Sequence, residues 1–214
     1  MAEAEADLRR CILGGVTLLM GAVTLLVSLC LYVPGLDAAT ETPGFRTGAM
    51  TTAVAGILLL LSMMFVRSHG YQRFVYMWVG MAMAALLVVA AHAVSSKAVV
   101  VVTLVAAAAI TAIAAYAGAS MVEDASALGL PLLLGLVVLL CAGLVNGIVL
   151  HAHWLETVCS LVAVALFGAF SVYDANVFVK RRSCVYDCCE EGVFSLYQNF
   201  ANVATSLMRL SSGS

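Results

Sequence analysis

Long apolar runs separated by a few polar residues make up most of the chain. Runs at 11–33, 48–66, 74–91, 98–117, 128–150 and 155–179 approach or exceed the roughly 20 residues that a helix needs to cross a bilayer. A seventh, less apolar run at 193–210 carries Ser195, Asn199, Asn202, Ser206 and Arg209, at the three- and four-residue spacing of one helical face. In lipid such a stripe must turn toward protein or a water-filled cavity. The pattern predicts an all-α polytopic membrane protein, a seven-helix bundle with the C-terminal helix central and the other six around it. Residues 1–10 read as a cytosolic N-terminus, 11–210 as a single transmembrane domain and 211–214 as a C-terminal tail. Between the first two spans, Pro34-Gly35 and Pro43-Gly44 are turn signals and predict a loop over 34–47.

Composition agrees with the pattern. The 214 residues are 64% hydrophobic and 10% charged, with mean hydropathy +1.08, whereas about a quarter of a soluble domain is charged. A net charge of −2, with Lys and Arg spread over loops, gives no footprint for a nucleic-acid partner. The apolar run from Cys11 is too long for a signal-peptide core, which predicts a retained first helix. Alternate loops hold Arg9, Arg10, Arg67, Arg73, Lys180, Arg181 and Arg182, against Arg46 and Lys97 on the other side. By the positive-inside rule the N-terminus is cytosolic.

Asp174 is the acidic residue that falls inside an apolar span. It lies six residues before Lys180, and Asn199 lies six residues after Val193. At 1.5 Å per residue both sit about 9 Å below the same boundary, so neighbouring helices would bring them face to face. An intramembrane carboxylate is costly and marks a candidate functional site. The plainer alternative is an interfacial aspartate that reaches water or an arginine. Arg67, at the end of the second span, is the candidate counter-charge, and Asn202 continues the stripe.

Other constellations are weaker. His151, His153 and Glu156 cluster at the outer end of the fifth span, but i, i+2 spacing is poor for metal ligation on a helix. Cys184, Cys188 and Cys189 sit beside basic residues, where palmitoylation suits them better than zinc and plain reduced thiols are the commonest outcome. No even-numbered cysteine framework occupies the outer loops, so disulfide bonding is not expected. Asp124 is placed to cap the helix that starts near Ala127. Gly143 and Gly147 read as packing positions. No nucleophile with a nearby base and no phosphate-cradling glycine loop stands out, and a two-aspartate membrane protease would need a second aspartate in a span. Enzyme activity is not expected.

The last helix, Leu196-Tyr197-Gln198-Asn199-Phe200-Ala201-Asn202-Val203 followed by Leu207-Met208-Arg209, resembles the transmembrane Bax inhibitor motif family. That family typically reads Leu-Tyr-Leu-Asp-x-Ile-Asn-Leu-Phe there, then Leu-Leu-Arg. Tyr173-Asp174 is similar to its aspartate motif, and Gly70-Tyr71, Phe74-Val75-Tyr76 and Asp124-Ala125-Ser126-Ala127-Leu128-Gly129 are further echoes. The resemblance covers most of the chain from the second span onward. It implies a protein that modulates calcium leak across an internal membrane, of endoplasmic reticulum or Golgi type, and thereby cell death. Calcium would be the transported ion, with no cofactor, and apoptosis regulators would be membrane-protein partners. Large DNA viruses carry such relatives, which makes a virion inner membrane, with capsid proteins as partners, the alternative home.

In the family two facing aspartates form a proton-operated latch, because neighbouring carboxylates cannot both ionise cheaply. Here the first is Asp174, and Asn199 stands at the second position. An amide does not titrate, and its N–H donors favour an ionised carboxylate. The expectation is a closed or weakly pH-dependent latch. The alternative is a non-conducting structural or scaffolding membrane protein.

Overall fold

The structure, a computed structural model, describes residues 2–62, 66, 68–180 and 185–212. Among the described residues the chain is helical and contains no strand. The helices are α1 (Ala2–Tyr32), α2 (Pro34–Thr40), α3 (Pro43–Ser62), α4 (His69–His92), α5 (Lys97–Ser120), α6 (Gly129–Val145), α7 (His153–Lys180) and α8 (Val185–Ser212). A 3-10 turn, Ser126–Leu128, leads into α6, and a π-helical turn, Asn146–Leu150, ends it. Among the described residues six helices are long and apolar enough to cross a membrane, namely α1, α3, α4, α5, α6 with its flanking turns, and α7.

The spans differ in how much they bury: α1 and α5 bury a stripe, whereas α3 buries two residues, Ala49 and Gly56, and α6 one, Leu132. In α1 the buried positions include Leu8, Ile12, Val16, Met20, Val23, Val27 and Leu31, three or four apart and therefore on one face, with Cys30 buried beside Leu31. Leu18, Leu25 and Leu29 on its other sides are exposed. The helix stops where Pro34 disfavours helical backbone in the residue before it, and Val33 is accordingly extended.

The stretch 34–47 departs from the expected loop. It is α2 followed by the first turn of α3, because each proline sits at a helix start, where its missing N–H costs nothing. The Pro-Gly pairs therefore open helices instead of making turns. Long-range polar contacts fix α2: Lys97 Nζ donates to Asp37 Oδ2 at 2.6 Å, and Thr40 Oγ1 meets His92 Nε2 at 2.8 Å.

The last helix also starts earlier than its apolar pattern suggests. It begins at Val185, eight residues before Val193, and so is about 12 Å longer at that end. α1 likewise runs beyond Cys11 toward the N-terminus. α1 and α8 pack against each other, and Cys11 and Cys189 form a disulfide with Cα atoms 6.0 Å apart. That overturns the expectation of no disulfide. The cysteine count pointed to loops, whereas this pair joins two helix ends 178 residues apart in sequence.

α8 packs against α1, α4, α5 and α7 and buries Leu196, Tyr197, Phe200, Ala201, Val203, Ala204 and Met208. In a bilayer such packing depends on close van der Waals fit more than on exclusion of water, so small residues gather at the contacts. Two glycines show it. A Cβ on Gly15 of α1 would stand 2.6 Å from Val193 of α8, and one on Gly118 of α5 would collide with the Val172 carbonyl of α7.

Backbone cannot give way as a flexible side chain can, so Gly118→Ala forces α5 and α7 apart. The expected cost is about 1–3 kcal/mol, read as a lower thermal unfolding midpoint in detergent. An unchanged midpoint would show that the close approach is absent.

Candidate functional site

The polar stripe of α8 meets α7 at Asp174. Ser195 and Asn199 are four residues apart and share a face, and both donate to the same oxygen: Ser195 Oγ to Asp174 Oδ2 at 2.6 Å and Asn199 Nδ2 to Asp174 Oδ2 at 2.8 Å. Asn199 is buried and Asp174 half-buried. A carboxylate accepts bonds of this kind without a proton of its own, and such charge-assisted bonds are about twice as strong as neutral ones.

The other half of the stripe is open. Asn202, Thr205, Ser206 and Arg209 line a cleft of about 820 Å³ between α6, α7 and α8. Asn202, Thr205 and Arg209 also line a second cleft, of about 440 Å³, between α4 and α8. Asp174, Ser195 and Asn199 line neither. Asn199 and Asn202 are three residues apart, so the closed and open halves are separated by about 4.5 Å along the helix axis.

Several contacts pin the closed half. Arg73 Nε donates to Glu190 Oε2 at 2.8 Å, and the rings of Tyr76 and Phe194 stack with centroids 4.5 Å apart, both joining α4 to α8. Tyr197 donates to the Gly80 carbonyl at 3.0 Å. The Cys11–Cys189 bond ties in α1.

Asn176, two residues past Asp174, is a polar residue that sequence reasoning missed. It is buried, its Oδ1 accepts from the Ala125 amide at 2.9 Å, and its Nδ2 donates to the Gly118 and Val122 carbonyls at 2.9 and 2.6 Å. It thus satisfies the main chain of the α5–α6 connection from α7. An amide side chain inside the apolar run 155–179 was the available signal. Asp124 is exposed in that connection and accepts from the Ser126 amide at 2.9 Å. The expected cap of α6 is not made: the N-cap positions of the 3-10 turn and of α6 are Ala125 and Leu128, and Asp124 instead closes a local turn onto the amide two residues on. Bonding from Ser126 holds its carboxyl below the usual range, with Lys180 adding a smaller pull in the same direction.

The remaining sequence candidates scatter. Arg67 and Cys184 lie outside the described residues, as does the side chain of Cys188. Cys189 is committed to the disulfide, which removes it from the palmitoylation and zinc readings. His153 Nδ1 and Glu156 Oε2 are 4.0 Å apart at the mouth of the larger cleft, and no group of three metal-ligating side chains converges among the described residues.

A family model described as inhibitor of apoptosis-promoting Bax1 matches residues 9–214. The chain belongs to this Bax inhibitor family. The match takes in all six apolar spans and α8, so the resemblance first seen in the Leu196–Arg209 segment extends to the first span as well. No curated protein matches the chain.

Two outcomes follow from this Bax inhibitor site. Asn176→Ala leaves the Ala125 amide and the Gly118 carbonyl without their partner, while Lys180 still donates to Val122. Destabilisation of about 1–3 kcal/mol is expected, visible in thermal unfolding, and an unaltered midpoint would contradict the network. Peptide mapping of unreduced protein should yield the Cys11 and Cys189 peptides joined. Recovery of both as free thiols from protein purified under oxidising conditions would contradict the bond.

Proposed function

We propose that this Bax inhibitor family protein governs a calcium leak across an internal membrane and so influences cell death, with a latch that has lost its proton sensor. In this reading α8 crosses the bilayer as a seventh helix; its 28 residues give about 42 Å of length. It stands inside the other six, with the N-terminus in the cytosol. Asp174 is the charge of the latch, Asn199 and Ser195 its neutral partners, and Asn202 the first polar residue beyond it. The observation that carries the reading is Asp174 Oδ2 accepting from both Ser195 and Asn199, at the depth where the open clefts stop. With no second carboxylate there, acid has no carboxylate pair to act on, and the leak is low and weakly pH-dependent. On this orientation the Cys11–Cys189 pair faces a reducing compartment, so its bond forms under oxidising conditions only.

A second reading, a non-conducting scaffold protein of a viral or organellar membrane, is favoured by the closed half of α8. Leu196, Tyr197 and Phe200 are fully buried there, and neither cleft reaches Asp174, Ser195 or Asn199.

Calcium efflux from liposomes separates the two, measured at neutral and acidic pH. Asn199→Asp should restore a steep pH dependence, since the two carboxylates would then share one site. Asp174→Ala should change the leak and abolish that dependence. If Asn199→Asp leaves the pH profile of a measurable leak unchanged, the latch reading fails. No flux from wild type or either variant, with the fold intact, would establish the scaffold reading.

A further inference from the structure

The larger cleft has chemistry that the latch does not use. One wall is α6, through Leu136, Leu139, Leu140 and Leu144, and Phe167 of α7 faces them. Leu132 is the buried residue of α6, and α6 packs principally on α7, so the gap toward α8 opens sideways into lipid. The floor is the polar stripe, ending at the exposed side chain of Arg209. The volume of about 820 Å³ lies inside the ~300–1,000 Å³ range of ligand sites.

Arg209 sets the class of ligand. Among the described residues no carboxylate lies within 4.0 Å of it; Glu156, which also lines the cleft, is instead 4.0 Å from His153. An arginine beside an apolar cleft in a bilayer needs water or an anion. Two observations place this end at headgroup depth. Arg209 is three residues from the end of α8, and Trp154, 68% exposed at the start of α7, is the aromatic type that settles at membrane interfaces. The anion that a bilayer presents at that depth is phosphate, which a guanidinium binds through two parallel N–H donors. The rim is also shaped locally: the π-helical turn ends at His151 in the left-handed region (φ 49°), and Asn146 Oδ1 holds the reversal by accepting from the Ala152 amide at 2.9 Å. π-turns of this kind gather at functional sites.

We propose that the cleft between α6, α7 and α8 binds one phospholipid of the leaflet at the Arg209 end, with its phosphate on Arg209 and an acyl chain along the α6 leucines. The leucine wall distinguishes this ligand from free phosphate, which would make no use of it. The site is independent of whether the protein conducts ions.

Native mass spectrometry of the full chain in detergent tests it, with palmitoyl-oleoyl phosphatidylglycerol as the probe. Wild type should retain one tightly bound copy. Arg209→Gln should weaken binding about tenfold or more, the loss of a charge-assisted pair. Leu139→Trp, which fills the cleft without altering charge, should do the same, whereas Arg46→Gln, a cation outside the cleft, should have no effect. Diacylglycerol with the same chains should bind at least about tenfold more weakly than the phospholipid, and inorganic phosphate should not displace it. Equal retention by wild type and Arg209→Gln, or by wild type and Leu139→Trp, would overturn the proposal. Displacement by inorganic phosphate would also overturn it, by reducing the site to an anion site. Should Arg209→Gln fail to fold, Arg209→Lys keeps the charge but loses the two-pronged geometry, and a several-fold loss is then the expected result; equal retention counts against the proposal.

Discussion

A helix with a polar stripe cannot stand in lipid unless the stripe has partners, and the arrangement of this Bax inhibitor family protein follows from that requirement. α8 carries seven fully or nearly buried apolar residues among its polar ones, so it must be enclosed on several sides at once. One carboxylate oxygen on α7 satisfies the first half of the stripe by taking bonds from Ser195 and Asn199. That oxygen is expensive to bury alone, and the two donors are what make its position tenable. The stripe and the aspartate therefore depend on each other.

The two ends of α8 are held very differently. Toward Val185 the helix is tied to α1 by a disulfide and to α4 by an ion pair, a ring stack and the Tyr197 hydroxyl. Toward Ser212 it is flanked by two clefts, and α6 stands largely in the lipid. Any movement that opened the closed half would have to break several contacts together, whereas the open half is already accessible to water or lipid. A leak protein at rest and a scaffold with a lipid-filled groove share this asymmetry, and what separates them is whether the contact at Asp174 can be released.

Much of this was legible in the sequence because a bilayer imposes strong rules. Span lengths follow from its thickness, and the equal six-residue distances from the boundary put Asn199 at the depth of Asp174 before any coordinates, facing it if the two helices are neighbours. What escaped had local or long-range causes. The Pro-Gly pairs at 34 and 43 fit a turn and a helix start equally well, and neighbouring contacts such as Asp37 with Lys97 decide between them. The first turns of α8 are polar enough to read as a link, and their helical state comes with packing on α1 and α4. Cys11 and Cys189 are nearly a whole chain apart, so no spacing rule could pair them. Asn176 stood beside the residue already singled out, but its partners are main-chain groups of a connection whose path the sequence does not reveal.

The central claim is that the stripe of α8 is sealed at Ser195 and Asn199 and open from Asn202 onward. Cysteine accessibility measures this directly. With Cys30, Cys141, Cys159, Cys184 and Cys188 replaced by alanine and the Cys11–Cys189 bond kept, single reactive cysteines at Ser195, Asn199, Asn202 and Thr205 would be exposed to an impermeant thiol reagent from the Ser212 end of oriented vesicles. The account predicts rapid modification at positions 202 and 205 and none at 195 and 199 on the same timescale. Equal labelling at all four would contradict it.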